Sequence, residues 1–498
     1  MSQQTPEQFV VLPTRGLRAS VPTSSPTLAG FLIDLNSARS ATAARSFGAR
    51  IGVAPKTDMR VIDSIHEDGA KLVEMTPASA KELQAAQPGL RIVPVVYYKI
   101  ARARMEIASR VSAAATSVKV PFVVKSVSGA PVVGAHLVAF TNFEERTGGE
   151  GDTNAQGVAK ITLGGAKKIE RVYVYPKKDF WGAFQTNVQV KPNGVTILLE
   201  PVDLSFTDQL RHFYGKSPAD AGKGVTVGIV DTGVGPHPDL VVDGGTNTVL
   251  NENPTDFGNN GEGHGTHCGG IVAARGTPPA GIRGLAPAVR LRSYRVFGKG
   301  AEGAANFAIS KAIDAAWNDG CDIINLSLGG GPSDPATQSA VHDAREHGAV
   351  VIAAAGNDGR QSVSFPGADP LCVAVSAMGR KGTFPKGSLD DGEIEDPFGD
   401  PDKDNFIAAF SNVGPQIDLT GTGVGILSTV PGGYAPMSGT SMASPAVAGC
   451  AARLLAANTT VLNMPRDQAR SDEIVKMLLK SAKLMNFGAD FEGKGLPA

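Results

Sequence analysis

Four polar side chains stand at strand-to-helix junctions, in the chain order Asp231, His264, Asn357, Ser441. "VGIVDTGVG" puts Asp231 at the end of a fully apolar stretch, with glycines behind it that let the chain turn. "GEGHGTHCGGIVAA" places His264 among glycines just ahead of an apolar helical pattern. "AVVIAAAGNDG" ends a second apolar run at Asn357, a neutral amide donor, and "SGTSMASPAVAG" sets Ser441 where a loop turns into a helix. Acyl transfer uses such a set: a hydroxyl nucleophile, an imidazole base, a carboxylate that orients the base, and a donor for the oxyanion. Each residue alone has a plainer reading. A strand-end aspartate is ordinarily a cap or turn residue, a glycine-flanked histidine is ordinarily structural, Asn before Asp-Gly marks a turn, and a serine opening a helix caps it. Four together at strand-to-helix junctions outweigh those readings.

Such junctions need a scaffold. From about residue 205 onward, the runs "GVTVGIVD", "VRLRSYRVF", "DIINLSLGG", "AVVIAAAGN" and "LCVAVSA" alternate with helical patterns such as "ANFAISKAIDAAWNDG" and "DPATQSAVHDAREHG". Continuous apolar strands with helical crossovers predict an α/β fold, a parallel sheet covered on both faces. Ligands of such sheets bind outside the carboxyl ends of the strands. Residues 390–404 carry eight carboxylates, Asp390, Asp391, Glu393, Glu395, Asp396, Asp400, Asp402 and Asp404, and read as a solvated loop or a cation site.

Three regions precede that sheet. Residues 1–27 are rich in Pro, Ser and Thr and are expected to be loosely ordered. Residues 28–112 give a βαββαβ order, the ferredoxin-like plan: a strand at 31–35, a helix at 37–47, a strand pair in "RVIDSIH" and "GAKLVEM", a helix opened by Thr76-Pro77 and closed near Gly89, and a last strand in "RIVPVVYYKI". Residues 113–204 hold short strands separated by turn signals such as "SGAP" and "DTNAQG", the spacing of a small β-sandwich. Residues 205–498 form the last domain.

The 498-residue chain carries a net charge of −1, which gives no bias toward nucleic acid or a membrane surface. Residues 1–204 sum to +7 and residues 205–498 to −8, a split that favours docking of the two parts. Cys268, Cys321, Cys372 and Cys450 lack metal-ligand spacing and are expected to be buried reduced thiols. The N-terminal stretch shows no basic segment followed by an apolar one, so a cytoplasmic or leaderless protein is expected, with secretion left open.

The motifs "DTGVGPHPDL", "GHGTHCGG", "NLSLGG", "AAAGN" and "SGTSMASP" resemble those of the subtilisin-like serine peptidases (subtilases) over roughly residues 205–460, and His-Gly-Thr-His-Cys resembles the proteinase K branch. The resemblance implies a serine endopeptidase with Ser441 as nucleophile, His264 as general base and then acid, and Asp231 holding the imidazole. It implies Asn357 and the Ser441 N–H as oxyanion donors. Ser327, Leu328, Gly329 and Gly330 are implied to add an extended peptide as a strand, and Ala353, Ala354, Ala355 and Gly356, with Ser364, to line a small pocket for an apolar or aromatic residue before the cleaved bond. No cofactor is required for the chemistry. Asp239 matches a calcium ligand of the family, so a structural calcium stays open, while Ala446 replaces a family histidine. Residues 58–100 resemble the inhibitor-type propeptide, which implies a precursor whose own N-terminal domain blocks the cleft. Residues 113–201 resemble carboxypeptidase-regulatory-like or Ig-like sandwiches. Partners are then a protein or peptide substrate and the prodomain, with no nucleic acid and no membrane. Two rival readings are a processing peptidase of narrow specificity and a subtilase-fold binding protein whose cleft stays plugged.

Overall fold

Thr226–Asp231 is buried at every position and lies inside an eight-stranded sheet. The structure, a computed structural model, describes residues 5–19, 26–36, 38, 59–101, 109–110, 117–165 and 168–498. The strands run in the order Val242–Asn247, Arg290–Arg295, Thr226–Asp231, Ile323–Leu326, Val350–Ala354, Cys372–Arg380 and Asn405–Ile407, with Leu419–Thr422 also paired to Cys372–Arg380. The pairings are parallel except at Asn405–Ile407. Successive residues feed two cores: Val227, Ile229, Ile323 and Ile352 go to one, and Val230, Ile324, Val351 and Ala353 to the other. Both faces are therefore dry, which is why these strands read as unbroken apolar runs. His264–Ala273 and Thr440–Ala457 pack on the first face, Asn306–Asn318 and Pro335–Glu346 on the second.

The N-terminal region departs from the expected boundaries. Glu7–Leu12 is a strand with Val10, Val11 and Leu12 fully buried, inside the segment expected to be loose. It lies between Lys71–Met75 and Arg91–Pro94 in a four-stranded sheet that ends at Arg60–Ser64. The strand expected at 31–35 is part of the helix Pro26–Leu35, because Leu28, Phe31, Leu32 and Leu35 recur at helical spacing and are all buried. The helix expected at 37–47 lies outside the described residues apart from Ala38. Pro77–Ala86 starts as expected, with Thr76 accepting the Ser79 N–H, but it closes at Gln87, ahead of Gly89. The run "RIVPVVYYKI" divides: Tyr97–Ile100 leaves this sheet and pairs instead with Ala304–Ala305 and Leu328–Gly329 of the large domain.

Between these parts lie two sheets, one of Val158–Leu163, Val118–Ser126 and Val195–Leu199, the other of Ala183–Gln189, Lys168–Tyr175, His136–Asn142, Thr147–Asp152 and Ser109–Arg110. Their alternating inward residues, among them Phe122, Val124, Leu137, Ile161, Val172 and Ile197, form a separate core. The glycine-rich strand Thr147–Asp152 carries no apolar alternation and was not expected; a Cβ at Gly148 or Gly149 would strike the backbone of Ala139 or Thr162. This layer is anchored to the large domain. Trp181 enters the first core edge-on to Phe206, the Asp179 N–H bonds the Tyr434 carbonyl at 2.7 Å, and the Phe184 N–H bonds Gly387 at 3.0 Å.

The N-terminal sheet meets the helices of the second face through Arg18 and His66 on Asp314 and Lys311 on Asp63. The Leu17 N–H reaches Asp343 Oδ2 at 2.8 Å. Burial pushes the Asp343 carboxyl up to about 6, with Glu346 and Asp314 adding to the rise, in spite of the Leu17 N–H that favours its ionised form. Its folded value exceeds its unfolded one, so its contribution to stability is full below about pH 4 and is lost as pH rises through about 6. Melting of the uncut chain from pH 4 to pH 8 is expected to show this fall, and Asp343→Asn to flatten that part of the profile.

Candidate active site

Asp231 closes its strand and is wholly buried, as is His264 at the start of its helix. Gly233 turns the chain between them at φ +93°, where a side chain would strike the Gly258 carbonyl. The Asp231 carboxylate takes the Nδ1–H of His264 at 2.8 and 2.9 Å and the Thr232 N–H at 2.6 Å. Held between two carboxylate oxygens, Nδ1 must carry the proton, which leaves Nε2 as the free acceptor. That Nε2 is buried and has no partner among the described residues. The neighbouring His267 is different: its Nε2 faces the Ile426 and Ala435 carbonyls at 3.0 Å, and burial pushes its pKa down to about 3.

Ser441 is the second residue of Thr440–Ala457, whose cap is Gly439, so Ser441 is not the cap. Pro445 lies six residues into the helix, beyond the first turn, and removes the N–H that the Ser441 carbonyl would take. That carbonyl is satisfied instead by Ser327 Oγ at 2.8 Å and by the Cys268 thiol at 3.4 Å. Cys268 Sγ also lies 4.0 Å from His264 Nδ1, and burial keeps its pKa well above the ordinary thiol value. All four cysteines are buried and unpaired. The Ser441 hydroxyl donates to the Ser327 carbonyl at 3.0 Å; the hydrogen bond expected to His264 is not made in this state. Asn357 follows Gly356, which sits at φ +108°. Its Oδ1 accepts from the Thr440 N–H and hydroxyl, both at 2.9 Å, which turns the amide so that Nδ2 is buried without a partner among the described residues. Thr440, not foreseen from the sequence, thereby aims Asn357.

The cleft is filled by the chain itself. Lys99 pairs with Gly329, Ile100 with Leu328 and Tyr98 with Ala304, and the Ala101 N–H reaches the Ser327 carbonyl at 3.1 Å. The Ala101 carbonyl then accepts the Ser441 N–H at 2.9 Å. Of the four residues expected to add a strand, Ser327, Leu328 and Gly329 do so, while the Gly330 N–H turns to Phe365. Ala353, Ala354 and Ala355 are buried at the end of the adjacent strand, and the Gly356 N–H bonds Thr440 Oγ1 at 3.2 Å. Ser364 Oγ takes a bond from Asn412 Nδ2 at 3.2 Å.

A cavity of about 950 Å³ opens beside Gly263 and Ser438, walled on its far side by His136, Arg171 and Tyr173 of the middle layer. Asp390 of the acidic loop lies buried at its edge and accepts from Ser438 at 2.6 Å and Ser388 at 3.1 Å, while Asp402 and Asp404 pair with Arg380. These carboxylates are spent on protein donors. Asp239 Oδ2 likewise takes the Ile282 N–H at 2.8 Å and the Tyr434 hydroxyl at 2.9 Å. Among the described residues no helix is long and apolar enough to cross a membrane.

A profile of the Subtilase family matches residues 222–493. Subtilisin BL of Lederbergia lenta is 38% identical over 245 residues, which cover 49% of this chain and 80% of that protein. Subtilisin Savinase of the same organism is 37% identical over the same shares, and alkaline elastase YaB of Bacillus sp. (strain YaB) is 33% identical over 300 residues, 60% of this chain and 68% of that protein.

Proposed function

The chain belongs to the subtilase family and is a serine endopeptidase, and we propose that Asp231, His264 and Ser441 are its triad and the N-terminal domain its intramolecular inhibitor and first substrate. The observation that carries this reading is the Ala101 carbonyl on the Ser441 N–H, at the end of a strand laid into the cleft. Rotation of the Ser441 side chain releases Oγ from the Ser327 carbonyl to His264 Nε2. Oγ attacks the carbonyl carbon as Nε2 takes its proton, and Asp231 stabilises the imidazolium. The developing oxyanion receives the Ser441 N–H and the waiting Nδ2 of Asn357. The imidazolium then protonates the leaving amine, and water completes hydrolysis of the acyl-enzyme.

On this reading the bond cut in the chain itself is the one from Ala101 to Arg102. Cutting there frees the inhibitory domain and leaves the sandwich on the enzyme. The test is the mass of the purified chain under denaturing conditions. Wild type is expected as two pieces, 1–101 and 102–498, and Ser441→Ala as one. A wild-type chain that stays whole, or a variant cut equally, would overturn the self-cleavage. Asn357→Ala is expected to lower kcat by on the order of 10²–10³-fold with KM little changed, measured on a peptide amide.

The sandwich wall beside the site favours a second reading, a processing peptidase of narrow specificity. Its mark is efficient self-cleavage with negligible hydrolysis of unfolded casein.

A further inference from the structure

Tyr98 is fully buried, although Tyr97 before it is exposed to 61% and Lys99 after it is exposed as well. Its ring lies 5.9 Å from that of Phe365, and its hydroxyl ends 2.6 Å from Asp334 Oδ2 and 2.9 Å from the Pro332 carbonyl. Asp334 is itself 3% exposed and caps the helix Pro335–Glu346. Its two oxygens have separate duties. Oδ1 takes the Ala336 N–H at 2.9 Å, the Thr337 N–H at 3.0 Å and Asn306 Nδ2 at 3.1 Å. Oδ2 has only the Tyr98 hydroxyl among the described residues. The cap is thus complete without Oδ2, and the spare oxygen faces the bottom of a pocket shaped around a phenol.

We infer that Asp334 is a specificity residue that reads the hydroxyl of a tyrosine four residues before the cleaved bond, counting Ala101 as the first. The inference rests on the peptidase reading and on the chain's own strand lying as a substrate lies. Phenylalanine fills the same volume but leaves a buried carboxylate oxygen without a donor, and that penalty falls on the wrong substrate. Lys99 projects to solvent, so the third position is expected to tolerate many residues.

The test uses the purified protein as it emerges after self-cleavage, with peptides that end in a fluorogenic amide: Tyr-Lys-Ile-Ala and its Phe, Leu and Arg forms at the first place. The expected kcat/KM for Tyr exceeds that for Phe by about ten- to a hundredfold. Asp334→Ser keeps a capping hydroxyl but removes the second oxygen, so the Tyr-to-Phe ratio is expected to fall to near one, with the Phe rate rising as its penalty is lifted. In the full chain, Tyr98→Phe is expected to slow the appearance of the 1–101 piece, a readout independent of how Asp334→Ser folds. Equal rates for Tyr and Phe in wild type, a ratio unchanged in Asp334→Ser, or a preference for Arg would overturn the inference while leaving a working peptidase. Failure to cut any of the four peptides would overturn the peptidase reading and this inference with it.

Discussion

Replacing Ser441 by alanine is expected to lower turnover of a peptide amide by on the order of 10⁶-fold, the scale of loss when a serine triad is stripped of its nucleophile. The comparison needs chains opened alike, so the variant is first nicked after Ala101 by wild-type protein and then separated from it. The Ser441 N–H belongs to the backbone, and Asn357 Nδ2 is aimed by Thr440, so both oxyanion donors survive the substitution. A residual acceleration over water is therefore expected, and KM is expected to change little. A loss of less than about a hundredfold would mean that another group attacks the carbonyl carbon.

Asp231→Asn is expected to cost about 10⁴-fold in kcat, again with KM nearly unchanged. The carboxylate now accepts the proton of His264 Nδ1 at 2.8 and 2.9 Å and that of the Thr232 N–H at 2.6 Å. A carboxamide has one acceptor. With that oxygen on the Thr232 N–H, its amino group faces Nδ1 and drives the proton to Nε2. The ring then meets Ser441 with a donor where the reaction requires an acceptor. Because the side chain is wholly buried, water cannot slip in to restore the tautomer. A steady-state measurement on the self-cleaved protein suffices if enough turnover remains, and on protein nicked by wild type if it does not. A fall of tenfold or less would show that Asp231 does not set the tautomer.

Asp231 and Asn357 stand out in the sequence because each follows an apolar run that both sheet faces bury, and His264 and Ser441 because each opens a helix among small residues. The parallel sheet was legible from those apolar runs. Other features depend on pairing between distant segments, and no local pattern records that. Tyr97–Ile100 reads as the continuation of Arg91–Pro94, yet after Pro94 it crosses to Leu328–Gly329. Thr147–Asp152 is a strand because glycines let it lie close to its neighbours, which removes the side chains that would have advertised it. The segment 31–35 looked like a strand only because the window was too short to include Leu28. Pro445 stands six residues into its helix, a position that makes sense only once Ser327 and Cys268 are seen on the Ser441 carbonyl. Asp334 caps its helix with one oxygen, and no local pattern records what the other one meets.

Everything rests on Ser441 having an imidazole at hand to take its proton once Ala101 has left the cleft. The direct measurement is labelling by a fluorophosphonate, which reacts only with a serine so activated, followed by peptide mapping. The self-cleaved protein is expected to carry one label, on Ser441, and to lose it in Ser441→Ala and His264→Ala. No label on the opened protein, or a label on a different serine, would contradict the account.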